Sequence, residues 1–194
     1  MKTAFMICLA VLSSWTSASA AAILLEISGE VYSVDSALTP YYSVFAPFNV
    51  NLLYDSAGPY GATVEMTTSG HDLFGSGGIL IQNNAPYDEF IFGEAPMSGF
   101  DIAPYDRPRL LFDFIDESSS LFSDRSLPNP FPQLSQWTHV VAHLGYEDHA
   151  ANMSRRLELR VDAVNVVTEV PELSSTLLLG ISCTLFLLRR RRNE

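Results

Sequence analysis

The chain has 194 residues, 47% of them hydrophobic, and a formal net charge of −11 at pH 7. Residues 21–170 hold twenty Asp or Glu against six Arg and no Lys, hence a formal −14; phosphate backbones demand a positive surface, so nucleic acid is excluded as a partner. The two cysteines, Cys8 and Cys183, both fall in apolar terminal stretches, so the segment between them must fold on packing alone.

Residues 1–20 read as a signal peptide. Lys2 gives a positive start, residues 4–12 are almost wholly apolar, and "SASA" ends in small residues. Ala18 and Ala20 occupy the minus-three and minus-one places of a cleavage site after Ala20. An apolar core of about nine to twelve residues falls short of the roughly 20 that a membrane span needs.

Residues 21–169 carry a β pattern. "LLEISGEVYSV" predicts a strand over 23–34, and "FNVNLLYD" alternates Val50, Leu52 and Tyr54 against Asn49, Asn51, Leu53 and Asp55. Further strands are expected over 63–67, 78–82, 89–92, 110–115 and 137–144. The last, "LELRVDAVNV", sets Leu157, Leu159, Val161 and Ala163 against Glu158, Arg160, Asp162 and Val164. "DSAGPYG", "FGSGG", "NNAP", "DESSS" and "LPNPFP" read as the turns between them. Eight or so short strands with this punctuation predict an all-β ectodomain, a β-sandwich of the jelly-roll kind.

Candidate chemistry in this region is sparse. "GSGG" at 75–78 lacks the lysine and helix of a phosphate cradle and reads as a hairpin turn. Asp113, Asp116, Glu117 and Asp124 are oxygen ligands of the kind calcium takes, but their spacing matches no EF-hand, and a solvated turn is the simpler reading. His139 and His143, with His149 following, stand in "WTHVVAHLGYEDH". On a strand the first two share a face about 13 Å apart, too far to hold one metal ion. No metal, no cofactor and no catalytic residue is therefore assigned. Trp137, Tyr60, Tyr87 and Tyr105 are of the type that stacks on sugar rings, although most aromatics of a sandwich are core. Asn152-Met153-Ser154 is a formal glycosylation sequon.

The end of the chain is distinctive. Residues 173–188 contain only Leu, Ser, Thr, Gly, Ile, Cys and Phe, and no charge. As a helix they cover roughly 24 Å, short of the roughly 30 Å hydrocarbon core, and snorkelling arginines with slight thinning of the bilayer close the gap. Arg189, Arg190, Arg191 and Arg192 should remain on the cytoplasmic side. One transmembrane helix over 173–188 is expected, with residues 21–169 outside the inner face.

Val170, Pro171 and Glu172, then Leu173 and Ser174, the apolar span and the closing arginine cluster together resemble the PEP-CTERM sorting signal, here over 170–194 with its motif at 170–174. The family's signature is Pro-Glu-Pro, and Leu173 stands where the second proline usually falls. The resemblance implies an exosortase-type membrane processing enzyme as partner, cleavage near Pro171-Glu172, and a setting of exopolysaccharide or biofilm matrix. "ISGEVYSV", "PFNVNLLYDS" and "LLFDFIDESSSLFSDRSLPNPFPQLSQW" likewise resemble the β-rich cargo that precedes such tails, which carries no characterised chemistry. The expected function is an exported, non-enzymatic surface or matrix protein, anchored transiently in the membrane. A carbohydrate-binding module and a small secreted hydrolase are the alternatives.

Overall fold

Alternation of apolar and polar residues produces eight strands: β1 (Ala21–Val34), β2 (Pro47–Asp55), β3 (Gly61–Thr68), β4 (His71–Asn84), β5 (Tyr87–Ser98), β6 (Arg109–Asp116), β7 (His139–Asp148) and β8 (Met153–Pro171). The computed structural model describes residues 21–55, 61–84, 86–148 and 151–171. Among them the only helical element is a 3-10 turn, Leu134–Gln136, and no helix is long and apolar enough to cross a membrane. The predicted signal peptide and the predicted span, with its arginines, lie outside the described residues.

The all-β expectation holds, and the two-sheet sandwich does not. Each strand pairs antiparallel with the next in sequence, and the sheet closes on itself as one up-and-down barrel. Closure is visible where β8 meets β1: the Asp35 N–H donates to the Arg156 carbonyl at 3.1 Å. Gly29 lies so near the same strand that a Cβ there would fall 1.9 Å from the Arg160 carbonyl oxygen. Alternation could not separate the two architectures, because a sandwich and a barrel both bury every second residue. What distinguishes them is the pairing of the first strand with the last, which no local pattern encodes.

The strands are also longer than the sequence suggests. "FGSGG" is not a turn but the interior of β4, at a register shift between Gly75 and Gly78. A Cβ on Gly75 would meet Met97 Sδ and the Pro96 carbonyl oxygen at 2.6 Å each, and one on Gly77 would meet Ala95 Cβ at 2.8 Å. These glycines admit close strand approach at a bulge.

A compact unit runs from Ala22 to Glu169. Its interior is filled by rings: Phe90, Phe92, Phe112, Phe114, Tyr54 and Tyr146 are all buried at 2% exposure or less. Each large apolar side chain so buried contributes roughly 1.5–3 kcal/mol. Outward positions such as Glu26, Asn49, Asn51 and Glu65 are polar and exposed. This is the reverse of the apolar-out, polar-in pattern of barrels that cross a bilayer.

The up-and-down course sorts the connections between two mouths. At the near mouth lie the start of β1, the end of β8 and the long 117–138 connection; at the far mouth lie the 35–46 and 99–108 connections.

Candidate functional site

Among the described residues, the neighbouring strands β7 and β8 part well before β8 ends. β7 pairs with β8 only from Ala142↔Leu159 to Asp148↔Met153. Beyond that point His139, Val140 and Val141 still pair with β6, while β8 runs on to Pro171. The divergence opens a groove of about 610 Å³ on the outer surface. Tyr32, Trp137, His139, His143, Arg156 and Arg160 are among its lining residues, and Glu158 adds the carboxylate.

Strand alternation places these side chains. On β7 the even-numbered Ala142 and Leu144 point inward, so His139, Val141 and His143 point out, on one face as the sequence indicated. On β8 Leu157 and Leu159 point inward, which turns Arg156, Glu158 and Arg160 outward. Arg156 pairs with Glu158 at 3.2 Å, and Arg160 reaches Glu30 and Asp162 at 3.1 Å each. The pairs with Glu158 and Asp162 are solvent-exposed and correspondingly weak, whereas Glu30 is half-buried. His139 Nε2 stands 3.2 Å from the Glu117 carboxylate. Burial, with the charge of Arg156 assisting, holds His143 below its ordinary pKa; Glu94 and Glu158 oppose the shift. Trp137 is only 7% exposed, and its indole N–H has no partner among the described residues.

Of the other flagged residues, few converge. Asp116 points into the near mouth as the cross-strand partner of Asp88, whereas Asp113 points outward from β6, so the acidic stretch is not one ligand set. Among the described residues no group of three or more His, Cys, Asp or Glu is placed to hold a metal ion. Asp116 anchors the turn that follows it. Its Oδ1 accepts the Ser118 N–H at 2.9 Å and hydroxyl at 2.6 Å, and its Oδ2 accepts the Ser120 N–H at 2.9 Å. Burial alone would raise its pKa, but these bonds bring it down to about 2. Asp124 accepts from Ser126 in a local turn of its own. Asp113 is the contrary case: burial, with Glu89 adding like charge, pushes it up to about 6.

Among the aromatics, Trp137 packs against Phe114 and Phe131, and Tyr105 lies edge-on to Tyr146, so both belong to the core. Tyr87 is exposed at the start of β5; Tyr60 and His149 lie outside the described residues. Asn152 occupies the β7–β8 turn with a left-handed φ of 51°. Tyr32, at 59% exposure, was not singled out from sequence, although an aromatic on the polar face of β1 was the available signal. Arg156 and Arg160 were likewise missed as a pair; the signal was that half the arginines of residues 21–170 stand in "RRLELR".

Of the predicted sorting residues, Val170 and Pro171 form the last positions of β8. Ala18, Ala20, Glu172, Leu173, Ser174 and Arg189, Arg190, Arg191 and Arg192 lie outside the described residues. No family model, no curated protein and no solved structure matches this chain significantly.

Proposed function

We propose that the chain is an exported, non-enzymatic surface or matrix protein, delivered through its tail by an exosortase-type membrane processing enzyme. The observation that carries this reading is the unbroken order after β8: Val170-Pro171-Glu172, the uncharged residues 173–188, then Arg189 to Arg192. Pro171 ends the strand and cannot donate to a ladder, and Glu172 suits the positive end of a following helix. The Pro171-Glu172 junction is a place for a protease to grip extended chain beside a membrane. The barrel supports the same reading from its own chemistry. It has no cysteine to oxidise, many of its outward side chains are polar, and a formal −14 keeps it solvated outside the cell.

The groove between β7 and β8 supports carbohydrate binding as a property of the delivered domain. No arrangement among the described residues recommends the hydrolase reading over these two.

Replacing Pro171 and Glu172 together by alanine tests the role of the tail. The variant should accumulate in the membrane fraction while the parent chain reaches the surface or medium. Equal surface delivery of both would sink the proposal.

A further inference from the structure

Delivery of the chain makes no use of the groove between β7 and β8. We propose that this groove binds a carboxylate-bearing saccharide, a uronic acid unit within an extended glycan. The inference names a ligand class for the surface-protein reading, and rests on that reading only for the setting in which such a glycan is met.

Charge is the first reason. The body of residues 21–170 carries a formal −14, and half of its arginines stand at 155, 156 and 160. Two of these line the groove, where Glu158 is the one lining carboxylate. A long polyanion is repelled by most of this surface, and the exposed guanidinium groups of Arg156 and Arg160 are where it can make contact, in exchange for Glu158 and Asp162. A guanidinium also matches a carboxylate as a two-pronged donor, which an ammonium cannot do. Glu158 and Asp162 hold Arg156 and Arg160 in exposed pairs, so exchanging those two for a ligand carboxylate costs little, while the half-buried Glu30 stays with Arg160.

Ring chemistry is the second reason. Tyr32 presents an exposed aromatic ring on the same groove, a surface on which the apolar face of a sugar can lie. Glu158 supplies an acceptor for sugar hydroxyls, and His139 and His143 add further polar contacts.

An acidic peptide adding a strand along β8, beyond its pairing with β7, is the competing occupant, and the hexaglutamate control tests it.

The test uses the full chain, extracted from membranes in a nonionic detergent and titrated calorimetrically with a hexamer of galacturonic acid. The methyl-esterified hexamer and a hexaglutamate peptide serve as controls. The expected result is saturable binding of the acidic hexamer, weakened about 10-fold or more by esterification and by Arg156→Ala with Arg160→Ala, the scale of one lost charge-assisted contact. Tyr32→Ala should weaken binding about 3- to 10-fold, as the loss of one aromatic contact does. These residues are exposed, and unchanged circular dichroism establishes that the variants fold. Absence of saturable binding by the acidic hexamer overturns the proposal, as does affinity indifferent to the arginines. Equally tight binding of hexaglutamate would overturn the saccharide assignment. None of these results depends on whether the tail is processed, so failure here and failure of the delivery reading are distinguishable.

Discussion

At the near mouth of the barrel, the 117–138 connection is held by carboxylates; at the far mouth, the 35–46 and 99–108 connections meet through rings. Asp116 binds the backbone of Ser118 and Ser120, and Asp88 accepts the Leu121 and Phe122 N–H groups at 3.0 Å each. Beneath that turn Phe90, Phe114, Phe131 and Trp137 form one aromatic cluster. At the far mouth Tyr42 and Tyr146 share a hydroxyl–hydroxyl bond, and His71 stacks on Phe100 with centroids 3.6 Å apart. A long irregular connection has backbone donors to satisfy, and fixed carboxylates do that where no strand is available. Shorter connections that bring rings together can close a mouth by packing. The two solutions should differ in how they respond to pH.

The largest expected effect is at the near mouth. Phe114→Ala removes a ring that touches both Phe131 and Trp137 and should lower stability by about 3–5 kcal/mol in urea titrations. A loss under about 1 kcal/mol would mean that the 117–138 connection contributes little to the core.

Asp116→Ala should cost about 2–3 kcal/mol at neutral pH, since it leaves the Ser118 and Ser120 donors without their charged acceptor. The folded pKa of Asp116, about 2, lies below its ordinary 3.8. Its stabilisation is therefore present above pH 3.8 and is lost as pH falls through 2. Acid titration of parent and variant should converge there.

Tyr146→Phe should cost about 1 kcal/mol and leave that acid limb unchanged. Burial, with Tyr42 beside it, raises the Tyr146 pKa above its ordinary value of 10.0. The hydroxyl contribution is thus fully present below pH 10 and fails only in stronger alkali. An acid-sensitive Tyr146→Phe variant would break the contrast between the mouths.

Asp113, on the outer wall, has the opposite sign to Asp116. Its folded pKa of about 6 exceeds 3.8, so its ionisation opposes folding as pH rises through 6. Asp113→Asn should stabilise by roughly 1 kcal/mol at pH 7, after discounting for solvent screening, and the gain should vanish below pH 3.8. The smallest effect is spectroscopic: the His143 imidazole should titrate below 6.5, and Arg156→Ala should move its midpoint upward.

Most of the barrel was legible because burial alternates with period two. Val50, Leu52 and Tyr54 are inward on β2 as the pattern indicates, and His139 and His143 share an outward face. The closure of β1 on β8 was not legible, being a contact between residues about 120 positions apart. Gly75 and Gly77 misled in the same way, because their reason for being glycine is the approach of Pro96 and Ala95 from another strand. The groove was half legible. Its histidines and Trp137 drew attention from sequence, while Tyr32, Arg156 and Arg160 join them only through the barrel's curvature and the parting of β7 from β8.

The central claim, that residues 170–194 are a processed address, is tested most directly by the intact mass of the exported chain in cells with and without the membrane processing enzyme. A processed tail leaves a chain beginning at Ala21 and ending near Pro171-Glu172 only where the enzyme is present. A chain that keeps Arg189 to Glu194 in both would contradict it and make the tail a permanent anchor.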